Sequence, residues 1–220
     1  MNLFDVIGPV MIGPSSSHTA GAVRLGNVAL AILGEPVKAA VIGLHGSFAK
    51  TYQGHGTDLA LAAGLQGWAT DDARMSCSFE YARSAEVEVT FKEINLGELA
   101  HPNSVKFWLT GVRGAACEVT GTSIGGGRVT ITSVDGFPVE FSGEFPTLLT
   151  IHHDRPGVIS LVTSILSTRG VNVAQMRVFR KQKGGLASMV VETDEPVEAA
   201  EIKAIGSLPQ VKIVRRIGAL

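Results

Sequence analysis

The last third of the chain switches between two hydrophobic periodicities in an order that few folds accommodate. Residues 148–152 read as an apolar strand. Asp154-Arg155-Pro156-Gly157 then opens a helix, with Val158, Leu161, Val162, Ile165 and Leu166 at i, i+3, i+4, i+7 and i+8. Pro156 suits a first helical turn, where its missing N–H costs nothing, and Gly170 supplies the terminating glycine. Strands over 171–179 and 186–193 flank a Gly184-Gly185 turn, and a short helix over 196–206 leads to a last strand, 211–217. The order β-α-β-β-α-β is ferredoxin-like.

The remainder is mixed. A boundary near Ser142-Gly143-Glu144 divides the chain into 1–143 and 144–220. Before it, Val87, Val89 and Phe91 alternate with polar neighbours, as do Val129 and Ile131. Asp135-Gly136 signals a hairpin, and Gly125-Gly126-Gly127 a tight turn. The expected class is α+β, a mixed α/β domain followed by the ferredoxin-like one.

Two polar clusters in the first domain carry chemistry. Gly13-Pro14-Ser15-Ser16-Ser17-His18-Thr19 runs straight into an amphipathic helix whose stripe is Leu25, Val28, Ala29, Ile32 and Leu33. Gly34 and Pro36 end that helix. Free N–H groups at a helix start favour an anion. One of Ser15, Ser16 or Ser17 serves as N-cap; the other serines and His18 need another reason to be there. The second cluster follows an apolar strand, 37–44: His45-Gly46-Ser47, then Gly54-His55-Gly56-Thr57-Asp58 and a helix through Leu59, Ala62, Ala63 and Leu65. Thr57 or Asp58 is the expected cap. Two histidines beside hydroxyls at helix mouths are candidates for proton transfer. His101 stands in a turn at His101-Pro102-Asn103, and nothing in the sequence alone brings it to a site.

Composition excludes several classes. Nineteen basic and twenty acidic side chains give a net charge of -1, against a nucleic-acid surface. No apolar run approaches the length of a membrane span, and the first residues lack a signal-peptide pattern, so the expected location is cytoplasmic. Cys77 and Cys117 stand far apart with no Cys-x-x-Cys. They give neither a disulfide framework nor the three or four thiolates that an iron–sulfur cluster takes. His152-His153-Asp154 is a poor metal set, since adjacent strand residues point to opposite faces.

The segments Gly13–Thr19, His45-Gly46-Ser47, Gly54–Asp58, His101-Pro102-Asn103 and Ser123-Ile124-Gly125-Gly126-Gly127 together resemble the β subunit of the iron–sulfur-dependent bacterial L-serine dehydratases. The resemblance implies deamination of L-serine to pyruvate and ammonia. It also implies a [4Fe–4S] cluster, acting as Lewis acid and ligated by a separate α subunit, with no metal ligand in this chain. On that reading His18 and His55 are catalytic, with the base between them undecided. Ser15, Ser16, Ser17, Thr19, Ser47, Thr57 and Asp58 bind substrate.

Asp154-Arg155-Pro156-Gly157 and Gly170-Val171-Asn172-Val173 resemble an ACT domain, a module that pairs with its like and often binds amino acids. Gly157 would let a ligand approach the helix start, and Asn172 would offer an amide; a packing-only domain is the alternative. The two-domain order is also similar to the effector end of some 3-phosphoglycerate dehydrogenases, which leaves a purely regulatory anion-binding module as the second reading. The expected partners are the α subunit, L-serine and a second ACT module, with neither nucleic acid nor membrane.

Overall fold

A computed structural model describes residues 8–219; the opening residues, on which the signal-peptide expectation rests, lie outside them. The chain separates into two units, 1–135 and 136–220. The change in sequence pattern suggested a division near Gly143. The difference arises because β6 (Phe137–Phe141) packs on the later strands β8 and β9.

In the first unit a single turn of π-helix, Ser16–Ala20, leads into α1 (Gly21–Leu33). The stripe Leu25, Val28, Ala29, Ile32 and Leu33 is buried throughout. Each of its valine, leucine and isoleucine side chains contributes about 1.5–3 kcal/mol of burial. Gly34, left-handed at φ 76°, ends the helix by donating its N–H to the Leu30 carbonyl, as the glycine predicted. β1 (Val37–Leu44) follows, then α2 (Gly46–Thr51), α3 (Thr57–Leu65), α4 (Ser78–Ser84) and β2 (Glu88–Glu93). β3 (Ser104–Gly111), β4 (Ala116–Gly125) and β5 (Arg128–Val134) complete the sheet of this unit, in the order β2-β1-β3-β4-β5. β1 and β2 are parallel because three helices connect them; the other pairs are antiparallel. Alternate residues Val105, Phe107 and Leu109 of β3, with Val119 and Ile131, are buried, and α1 lies over β3, β4 and β5.

Two local expectations change. The cap of α3 is Gly56, left-handed at φ 64°, not Thr57 or Asp58. Thr57 turns fully inward and its own N–H is taken by the Tyr52 carbonyl. The short helix α2 went unanticipated; six residues are too few to show a helical stripe.

The second unit opens with β6 after the Asp135-Gly136 turn, where both residues have positive φ, 50° and 73°. β7 (Thr147–His153), α5 (Val158–Thr168), β8 (Val173–Arg180), β9 (Leu186–Thr193), α6 (Ala199–Gly206) and β10 (Val211–Ile217) follow. The sheet order β10-β7-β9-β8, all antiparallel, is the ferredoxin-like one. Leu148, Val162, Leu166, Met189 and Ile205 form its core. α5 starts later than expected: Gly157, at φ 90°, is the N-cap, so Pro156 precedes the helix rather than opening it. Among the described residues no helix is long and apolar enough to cross a membrane.

Candidate active site

Three helix starts converge in the first unit. The π-helical turn holds Ser16, Ser17, His18 and Thr19 at the entrance to α1; Ser47 lies in the first turn of α2; His55 and Thr57 flank the cap of α3. Single π-turns inside helices recur at functional sites. Local chemistry sets this one. Ser15 caps it, its hydroxyl accepting the His18 N–H at 3.1 Å. The Thr19 N–H donates to the Ser15 carbonyl at 2.8 Å.

His18 sits at the centre. Its Nδ1 meets the Ser17 hydroxyl at 3.0 Å and its Nε2 the Ser47 hydroxyl at 3.2 Å. Its ring lies 4.8 Å from that of His55 and 5.2 Å from the buried Phe48, centroid to centroid. Burial pushes His18 below its ordinary pKa, and the neighbouring His55 acts in the same direction. A neutral imidazole, able to accept a proton, is the result. Thr19 is buried and its hydroxyl donates to the His55 carbonyl at 3.4 Å, tying the two loops together.

The remaining candidates are also placed here. Ser16 is half-buried at the start of the π-turn. The Thr57 hydroxyl is buried without a hydrogen-bond partner. Asp58 accepts the Leu59 N–H at 2.9 Å, and burial raises its pKa. His101 is exposed, with Nδ1 accepting the Asn103 N–H. Its segment reaches the site through Pro102 instead, whose carbonyl accepts the N–H groups of Ser47 and Phe48. Gly46, at φ 59°, is required there, because a β-carbon would meet the Pro102 backbone at 2.7 Å.

Three further residues, none of them assigned a role from the sequence, stand beside these. Phe48, buried against the His18 ring, was not singled out in the sequence. His45 accepts the Leu96 N–H through Nδ1 at 3.3 Å, which buttresses the start of α2. Ser123, on β4, is fully buried with an unpartnered hydroxyl. It lies where a β-carbon on Gly21 would stand, at 2.1 Å. Its only sequence signal was its place beside the glycine run.

Gly157 and Asn172 lie in the second unit. Gly157 has open space where a β-carbon would be. The Asn172 amide already donates to Asp194 at 2.6 Å.

Cys77 belongs to a 3-10 turn beside α4 and Cys117 to β4, neither in a disulfide. Among the described residues no three His, Cys, Asp or Glu side chains group as a metal set. The donor set of this chain does not fit an iron–sulfur cluster.

Comparison with known proteins identifies two families. The serine dehydratase beta chain family matches residues 2–133, and the ACT domain family residues 147–210. A probable L-serine dehydratase beta chain from Bacillus subtilis is 39% identical over 216 residues, 98% of this chain and 97% of that protein. The L-serine dehydratase beta chain of Peptoniphilus asaccharolyticus is 41% identical over 202 residues, 92% of this chain and 91% of that one. A D-3-phosphoglycerate dehydrogenase from Bacillus subtilis is 27% identical over 194 residues, 88% of this chain but 37% of that enzyme. The chain therefore belongs to the serine dehydratase beta chain family, with an ACT domain in its C-terminal unit.

Proposed function

We propose that this chain is the β subunit of an L-serine dehydratase, which deaminates L-serine to pyruvate and ammonia together with an α subunit. The observation that carries the reading is the His18–His55 pair, with ring centroids 4.8 Å apart, the Ser17 and Ser47 hydroxyls on the His18 ring and the Thr19 hydroxyl on the His55 carbonyl. Both full-length relatives bear that enzyme's name, which favours a catalytic subunit over a purely regulatory module.

The demand on the site is twofold. A weakly acidic Cα–H must lose its proton, and a poor leaving group, the β-hydroxyl, must gain one. Ser16, Thr19 and Thr57 supply hydroxyls for the serine carboxylate, Asp58 faces its ammonium, and Ser15, Ser17 and Ser47, linked through His18, serve the substrate hydroxyl. His55 and His18 handle the protons. The [4Fe–4S] cluster belongs to the α subunit, because this chain has no donor set for it. The first unit carries this chemistry; the second, with Gly157 at the start of α5 and Asn172 after its end, where the amide would have to leave Asp194, binds an amino-acid effector and pairs with a second ACT module. Two cysteines outside any disulfide suit a cytoplasmic location.

The test is pyruvate formation from L-serine by the assembled α–β enzyme. His18→Ala and His55→Ala are each expected to lower turnover by about two or more orders of magnitude, the scale of general acid–base groups, with subunit association unchanged. Near-normal turnover in both variants would overturn the assignment.

A further inference from the structure

Among the described residues, His18 is the imidazole with hydrogen bonds at both ring nitrogens, to Ser17 at 3.0 Å and Ser47 at 3.2 Å. The row continues: Ser15 Oγ lies 3.3 Å from Ser17 Oγ. Ser15 Oγ also accepts the His18 backbone N–H at 3.1 Å, which pins the row to the π-turn. Four side chains thus form one line, Ser15–Ser17–His18–Ser47, joining two segments 29 residues apart in sequence. A neutral imidazole holds a proton on one nitrogen and a lone pair on the other, and each hydroxyl both donates and accepts. The line can be polarised in either direction. By contrast, direct attack by His18 on a substrate proton would require breaking one of its two hydroxyl bonds. The His55 ring is packed beside His18, and among the described residues no hydroxyl bonds its ring nitrogens.

We propose that Ser17, His18 and Ser47 form a proton relay, with Ser15 its solvent end and Ser47 the end that protonates the departing hydroxyl of the substrate. This rests on the β-subunit reading above. His55 takes the Cα proton as the Cα–H bond breaks, and later returns it to solvent. As the Cβ–O bond breaks, Ser47 gives its proton to the leaving oxygen, which departs as water. Ser47 takes the Nε2 proton of His18, Nδ1 takes that of Ser17, and Ser17 is reloaded by Ser15 from solvent. One proton leaves and one enters, so no oxidant, reductant or further reactant is needed. The lowered pKa of His18 fits this role, since a relay must not trap the proton it passes. Ser47 then contributes to the rate of the chemical step rather than to the binding of substrate.

The experiment uses the assembled α–β enzyme with L-serine. Ser47→Ala and Ser17→Ala are expected to lower kcat by about 10²-fold, the lower end of general acid–base contributions, with KM within about twofold. The double variant is expected to lose no more than the worse single one, because a broken line cannot be broken twice. Ser47→Thr and Ser17→Thr keep a hydroxyl and should recover most of kcat. In H2O–D2O mixtures the wild-type rate should depend on deuterium fraction along a curve, from several protons in flight, and the Ala variants along a straight line. Full kcat in Ser47→Ala, a rise in KM alone, additive losses, or a straight wild-type line would each overturn the relay. A wild-type assembly that makes no pyruvate would instead overturn the β-subunit reading, and the relay with it. Co-purification with the α subunit establishes that each variant has folded.

Discussion

Gly64→Ala should damage the site without touching it. Gly64, in α3, faces Gly26, in α1. A β-carbon on Gly64 would stand 2.1 Å from the Val23 carbonyl oxygen and 2.9 Å from Gly26 Cα, where ordinary contact begins at 3.4 Å. These are backbone atoms of a packed helix and cannot swing aside, so α1 and α3 must part by about 1.3 Å. Helix propensity alone predicts a gain of about 0.8–1.0 kcal/mol from replacing glycine by alanine. The overpacking cost of about 1–3 kcal/mol opposes it, and with backbone on both sides the upper half of that range applies. The net expectation is a loss of roughly 1–2 kcal/mol, read as a Tm lower by about 2–4 °C per kcal/mol for a chain of this size. The same two helices carry His18 and His55 at their leading ends. A misplacement on the order of 1 Å there costs about 10²-fold in turnover. Gly26→Ala, whose β-carbon would be 2.8 Å from the Leu61 carbonyl, should be milder on both counts. Gly218→Ala, in open space, should stay within about 0.5 kcal/mol of wild type. Thermal unfolding of the purified chain and serine turnover in the assembled enzyme measure the two effects. A Gly64→Ala chain that is more stable than wild type, or one that supports full turnover, would refute the packing argument.

The remaining predictions concern pH and the second unit. His18 titrates in the fold below its ordinary 6.5, so the unfolded chain binds that proton more readily. Its contribution to stability is fully present above pH 6.5 and is lost as pH falls through the folded value. The His18 titration, read by NMR on the purified chain, should therefore lie below 6.5, and His55→Gln should move it upward; no upward movement would remove His55 as a cause. A fragment spanning 136–220 keeps β6 with the strands it packs on, and it should sediment as a dimer. β8 lies at the sheet edge, with Met176 and Val178 each 40% exposed. L-serine should raise the fragment's melting temperature in a dose-dependent way, and Gly157→Leu should abolish that shift; a monomer indifferent to a panel of amino acids would leave the domain without an effector role.

The elements of this fold were legible where a periodicity runs for two turns or a glycine ends it. The α1 stripe and Gly34 are of that kind, and so are the β-α-β-β-α-β order and the Asp135-Gly136 hairpin. What stayed hidden depends on contacts between distant residues. α2 is held by the Pro102 carbonyl, more than fifty residues away, which no local pattern announces. The π register of Ser16–Ala20 shifts hydrogen bonds without changing which residues are apolar, so hydrophobic spacing is blind to it. The histidine and hydroxyl residues could be named one by one from their loops. That His18 would bond Ser17 on one side and Ser47 on the other was not readable. Asn172 shows the converse: its amide looked available in sequence, and the fold gives it to Asp194.

The most direct measurement mixes separately purified subunits without air and follows pyruvate from L-serine. This chain alone should be colourless and inactive, and the α subunit alone should turn over serine at least about 10²-fold more slowly than the mixture, the scale of a missing acid–base group. Adding wild-type chain should restore turnover, and adding His55→Ala chain at the same occupancy should not. Turnover by the α subunit alone that equals the mixture would contradict the claim that this chain completes the active site.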